Sequence, residues 1–324
     1  MSASGLAACD WMPAVSVGPD DVRDAAERIA DRVRRTPVLE LGEMRAASVV
    51  AKLELLQHTG SFKPRGAFNK LLSSEVPPAG VIAASGGNFG LAVAYAARET
   101  GVPAEIFIPS TSPQTKIDRV RAHGAHVRIV EGYFAEANEA VAARAEQTGA
   151  LVMHPFDQPE VIAGQGTLGI EIEEQVSGVD VILMGVGGGG PLAGIAAWCG
   201  DRVRVVGVEP EGCASMTAAL AAGEPVVVPV GGLASDSLGA ARVGDHTFPI
   251  VRDRVERMVL VTEDQIREGQ RVLWEDVRLI VEPGGAAAFA ALRSGAYPLS
   301  PGDRVCVVLS GGNCDPATIT SYRS

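Results

Sequence analysis

The sequence predicts a doubly wound α/β fold, and three observations carry that reading. Short apolar runs alternate along the chain with longer helix-forming stretches. The runs are near-continuous in apolar residues instead of alternating with polar ones, as parallel strands are when helices cover both faces of their sheet. Gly and Ala abound while aromatics make up 5% of the 324 residues, which suits close helix-on-sheet packing better than a β-sandwich or a disordered chain.

Taken in order, the first ~18 residues carry little pattern and are expected to be loose. Asp20 or Asp21 can then cap an amphipathic helix running to about Arg35. Strands are expected over 81–84, 104–109, 126–130, 151–154, 181–184, 203–208 and 305–309, and helices over 89–100, 114–123, 134–148, 161–176 and 263–276. Residues 181–200 carry no charge and are long enough to span a membrane. Gly185, the run Gly187 to Gly190, Pro191 and Gly194 break them into strand, loop and helix. No repeat or low-complexity linker divides the chain.

A chain that is 47% hydrophobic and 21% charged can bury a large core. Its formal charge of −11 repels phosphate backbones, and no basic run offsets it, so nucleic acid is excluded as a partner. No signal-peptide pattern opens the chain, and no membrane association is expected. The five cysteines, Cys9, Cys199, Cys213, Cys306 and Cys314, form no CxxC pair and lack the His spacing of zinc sites. They read as reduced, mostly core residues of a cytoplasmic protein without a metal site.

The segment Ser61-Phe62-Lys63-Pro64-Arg65-Gly66 is the most informative. Pro64 suits the first position of a helix, where its missing N–H would be unpaired anyway, and this puts Lys63 at the helix N-terminus. The positive end of the helix dipole, and any burial, push the amine towards the neutral nucleophile that imine chemistry needs. Taken alone, a lysine is usually a solvated surface charge.

Two glycine-rich turns follow strands. Ser85-Gly86-Gly87-Asn88-Phe89 can offer N–H groups to a carboxylate and a side-chain amide to a ring hydroxyl, although Gly and Asn are ordinary turn residues. Gly185-Val186-Gly187-Gly188-Gly189-Gly190 opens a helix, as a phosphate cradle does. It also satisfies GxGxxG, with Glu209 about twenty residues on, so a nicotinamide-dependent dehydrogenase is an alternative. A final turn, Ser310-Gly311-Gly312-Asn313, follows the strand at 305–309.

The motifs SFKPRGAFNK, ASGGNFG, HPFDQPEVIAGQGTLGIEI, GVGGGGPLAGIA, EPGGAAA and LSGGN, in this order from about Asp21 to Ala317, resemble the serine/threonine dehydratase family of fold-type II pyridoxal-phosphate enzymes. The resemblance implies two doubly wound domains like those of tryptophan synthase β, a large one from residues 1–79 and 154–324 and a small one from 80–153, with the cofactor between them. It implies that Lys63 carries pyridoxal phosphate as a Schiff base, with Phe62 packed beside the ring and Asn88 on the ring hydroxyl. Gly187, Gly188, Gly189 and Gly190 would hold the phosphate, and Ser310 would face the pyridine nitrogen. Ser85, Gly86, Gly87 and Asn88 would bind the substrate carboxylate.

The implied reaction turns a β-hydroxy amino acid such as L-threonine or L-serine into a 2-keto acid and ammonia, with a racemase or a β-replacement synthase as alternatives on the same fold. A cytoplasmic homodimer without an amino-acid-sensing C-terminal domain completes the expectation. The sequence departs from the family at three places. Phe89 stands where His is common, and Gly86 replaces the Ser that racemases use as a second proton carrier. Cys213 and Ser215 follow Glu209 where a cation site would need carboxylates.

Overall fold

The computed structural model describes residues 16–132 and 134–320. In chain order its elements are α1 (Pro19–Ile29), β1 (Val38–Met44), β2 (Ala47–Leu53), α2 (Pro64–Ser73), β3 (Val81–Ala84), α3 (Asn88–Thr100), β4 (Ala104–Pro109), α4 (Gln114–Ala122), β5 (His126–Val130), α5 (Phe134–Thr148) and β6 (Leu151–Val152). Then come α6 (Pro159–Gln175), β7 (Val181–Gly185), α7 (Gly190–Cys199), β8 (Arg204–Pro210), α8 (Ser215–Ala222), α9 (Ser235–Leu238), α10 (Thr247–Arg254), β9 (Arg257–Val261), α11 (Glu263–Val277), α12 (Pro283–Ser294), β10 (Arg304–Leu309) and α13 (Pro316–Thr320).

The strands form two sheets. One has the order β1-β2-β10-β7-β8-β9 and is parallel except for the β1–β2 pair; the other, β5-β4-β3-β6, is parallel throughout. The chain leaves the first sheet after β2, builds the whole second sheet, and returns at β7. Both are doubly wound, because alternate strand residues feed cores on opposite faces. In the first sheet Ile182, Met184, Cys306 and Val308 face α1, α6 and α7, while Val181, Leu183, Val305 and Val307 face α11 and α12. In the second, Val81, Ala83, Ile106 and Ile108 face α2, α3 and α4, while Ile82, Ala84 and Phe107 face α5.

Most expected elements stand within a residue or two of their expected bounds, and residues 181–200 are strand, loop and helix. The first helix is a correction. It ends at Ile29, not near Arg35, because Gln57 pairs with both the N–H and the C=O of Arg34 at 2.9 and 2.7 Å, and Pro37 disfavours helix at Thr36. Asp21 accepts the N–H of Gly18 at 2.8 Å, so Gly18 is the cap and neither aspartate is. Strands β1, β2 and β9 are additional to the expected set. Cys199, Cys213 and Cys306 are buried and unpaired, Cys314 is partly exposed, and Cys9 and most of the first 18 residues lie outside the described residues.

A buried ionic cluster joins β2, α2 and α6. Arg65, fully buried, donates to both oxygens of Glu54 at 2.8 Å and to Glu171 at 2.7 Å. Lys52, equally buried, donates to Glu171 at 2.5 Å, Gln175 at 2.6 Å and the carbonyl of Thr36 at 2.7 Å. Two cations meet two carboxylates, so the cluster is neutral and its donors are satisfied. Removing one partner strands a buried charge. Arg65→Ala should therefore lower stability by about 3–5 kcal/mol, read by urea denaturation of the cofactor-free chain; a loss under about 1 kcal/mol would show that the cluster contributes little.

Candidate active site

Pro64 is the first residue of α2, and Lys63 is its N-cap, already helical at φ −55° and ψ −32°. The Lys63 Nζ donates to the carbonyl of Pro155 at 2.9 Å and lies 5.0 Å from the ring centre of Phe62 and 5.7 Å from that of Phe89. Desolvation lowers the Lys63 ammonium to about 8, and the carboxylate of Glu282 works against that shift. The amine gives up its proton far more readily than an ordinary lysine and is held at a helix start where further positive charge is disfavoured.

The other loops converge on this lysine. Phe62 donates its N–H to Ser310 O at 3.2 Å, and Ser61 bridges Gly311, which fixes the lysine turn to the end of β10. Asn313, three residues beyond Ser310, donates its side-chain amide to Asn88 Oδ1 at 2.7 Å, bringing the start of α3 to the same place. The glycine-rich turn meets Lys63 through residues 155–156. Phe156 packs so tightly on Gly188 that a Cβ there would stand 2.4 Å from its ring carbons. Gly189 takes φ +96°, open to glycine at little cost, and the Gly188 carbonyl accepts from the Thr247 hydroxyl at 2.8 Å.

Lys63, Phe62, Asn88, Gly188 and Ser310 are thus tied together by direct contacts or one intermediary. Ser85 instead accepts the N–H of Gly87 within its own turn at 3.3 Å. Gly86 backs onto the next loop, where a Cβ would stand 2.3 Å from Ser112 Oγ. Gly187 and Gly190 border the cradle, against Leu238 and Phe156 respectively.

Several neighbours were not singled out by residue in the sequence. His154 accepts the N–H of Asp157 at 2.9 Å and, with burial lowering it to about 4, is a neutral acceptor that shapes the turn carrying the Pro155 carbonyl. Glu282 accepts from Asn88 at 2.7 Å. Both lie in quoted motifs, HPFDQP and EPGGAAA, and spacing alone does not reveal that they face the lysine.

The residues fit a cofactor with an aldehyde and a phosphate. They offer a desolvated amine, side-chain-free backbone at the start of the ten-residue helix α7, and a strand-end hydroxyl at Ser310 that is 4% exposed. They do not fit a dinucleotide. The carboxylate of Glu209 accepts from the N–H groups of Met216 and Thr217 at 2.7 and 2.9 Å and from the Thr217 hydroxyl at 2.6 Å, so it caps the start of α8 and, fully buried there, is not presented to a ribose.

Comparison with known proteins agrees. An L-threonine ammonia-lyase of Geobacter sulfurreducens is 40% identical over 307 residues, covering 92% of this chain and 76% of its own. The serine racemase of Homo sapiens is 38% identical over 311 residues, covering 91% of each. The crystal structure of a T.th. threonine deaminase superposes with a TM-score of 0.86 at 37% identity, covering 92% of this chain and 99% of its own. Residues 29–311 match the family model of pyridoxal-phosphate dependent enzymes, and the chain belongs to that family.

Proposed function

We infer that the chain is a pyridoxal-phosphate-dependent dehydratase, an ammonia-lyase that converts a β-hydroxy amino acid such as L-threonine or L-serine to a 2-keto acid and ammonia. The observation that carries the reading is Lys63, a desolvated amine at a helix start among glycine-rich turns. The threonine ammonia-lyases among its relatives support the reaction class. Bound cofactor supplies an electron sink conjugated to the substrate nitrogen.

In this reading Lys63 would anchor the cofactor, and its free amine would take the substrate's α-proton as a neutral base. Backbone N–H groups of Gly187, Gly188, Gly189 and Gly190 would hold the phosphate, Asn88 would meet the ring hydroxyl and Phe62 would pack beside the ring. The hydroxyl of Ser310 would meet the ring nitrogen without fixing a proton there, which suits loss of the β-hydroxyl. Ser85, Gly86, Gly87 and Asn88 hold the substrate carboxylate.

Residues 80–153 act as a small domain inserted into a large one, and the enzyme works as a cytoplasmic homodimer. Among the described residues no helix is long and apolar enough to cross a membrane.

Racemisation is the second reading, favoured by the identity to serine racemases. It needs a proton donor on the face opposite Lys63, and Gly86 has no side chain to supply one. Elimination is therefore the main course.

Lys63→Ala should abolish keto-acid and ammonia release from L-threonine, L-serine, hydroxyaspartate and bulkier β-substituted serines; wild-type turnover in that variant would overturn the assignment. Because the neutral amine is the attacking form, the rate at which cofactor-free chain captures pyridoxal phosphate should rise with pH, reach half its maximum near 8 and level off above that. Continued increase towards 10.5, the ordinary lysine value, would contradict the burial argument. Gly86→Ser should lower stability by about 1–3 kcal/mol through its clash with Ser112. Adding Ser112→Ala should recover most of that loss in a thermal melt, and failure to recover would place the strain elsewhere.

A further inference from the structure

Glu282 is a buried carboxylate without a task in the scheme above. It is 5% exposed and has no ion-pair partner within 4 Å among the described residues. As the N-cap of α12 it is placed to accept from that helix's first amides, yet its side chain makes no cap hydrogen bond. It crosses instead to Asn88, whose Nδ2 donates to Glu282 Oε1 at 2.7 Å, and it accepts the backbone N–H of Asn313. The turn of β10 is shaped around it, since a Cβ on Gly311 would stand 2.2 Å from Glu282 Oε1.

The direction of the Asn88 amide follows from its neighbours. Asn313 Nδ2 donates to the carbonyl of Thr59 at 2.8 Å and to Asn88 Oδ1 at 2.7 Å, while Asn313 Oδ1 accepts from Arg119 at 2.7 Å. With its oxygen committed to Asn313, Asn88 must present nitrogen to Glu282 and keeps one N–H for another acceptor. A carboxylate only accepts, so it enforces this orientation.

We propose that Glu282 is a positioning residue, which holds the Asn88 amide as a donor towards the cofactor's ring oxygen and places a negative charge beside the Lys63 nitrogen. The proposal rests on the assignment of Lys63 and Asn88 under Proposed function.

The groups acting on Glu282 are few. Asn88 and Asn313 are neutral donors, Asp236 on α9 and Lys116 on α4 pair with each other and act with opposite signs, and the Cys314 thiol lies near it. Burial raises Glu282 to about 7, with Asn88 opposing and Asp236 adding to the shift. Its charge is therefore complete from about pH 8 upward, the range in which the Lys63 amine loses its proton.

The test uses the full chain loaded with pyridoxal phosphate and follows its visible band against pH. Glu282→Gln keeps the shape and an acceptor for Asn88 but removes the charge. Loss of a nearby negative charge disfavours the protonated Lys63 nitrogen, so the midpoint should fall by roughly one unit. Glu282→Asp keeps the charge but withdraws it from Asn88, so it should leave the midpoint near the wild-type value and weaken cofactor affinity at least fivefold. Superimposable titrations for wild type and Glu282→Gln, with unchanged affinity in Glu282→Asp, would overturn the proposal. A wild-type chain that gains no visible band, or a band that persists in Lys63→Ala, would overturn the Lys63 assignment and this proposal with it.

Discussion

The arrangement depends on one costly feature, a guanidinium buried two residues after the lysine. Arg65 cannot leave water unless Glu54 and Glu171 meet it, and that requirement fixes the end of β2, the start of α2 and the middle of α6 relative to one another. Lys63 inherits its place from this constraint. Its amine can be stripped of water because the backbone beneath it is pinned by charge pairs that cannot rearrange one at a time.

The two sheets differ in how they are joined from how they are built. Each has apolar cores on both faces, whereas α4 of the smaller sheet reaches the larger one through polar links, Lys116 to Asp236 and Arg119 to Asn313. Exposed pairs of this kind contribute about 0–1 kcal/mol each, so they add little beside the apolar packing of Ala67, Phe68 and Leu71 of α2 against the smaller sheet.

The sequence made the central strands β3, β4, β7 and β10 legible because they are largely buried, mostly apolar and bounded by glycine or proline. It concealed β1, whose exposed and half-buried residues follow the edge of the sheet, and the true end of α1, which is set by Gln57 far along the chain. At the site, Lys63, Asn88, Ser310 and the glycine run were legible through the ordered motifs that carry them and not through their residue types, since Gly and Asn are ordinary turn residues. Glu282 and the Pro155 carbonyl did not. One is a carboxylate turned away from its own helix, and the other is a backbone atom, which no residue type can announce.

The strand order carries a consequence for how the molecule comes into being. β10, the last strand of the described residues, lies in the interior of the larger sheet between β2 and β7, and it delivers Ser310 and Asn313 to the lysine. Until β10 has emerged from the ribosome, β2 and β7 have no neighbour to join them, and the gap must be closed by contacts of the longest sequence separation in the chain. The smaller sheet, made from one continuous stretch, can fold on the nascent chain well before that moment. The site is therefore completed only by the insertion of β10, so a chain that stops before it retains the lysine without the environment that makes it reactive.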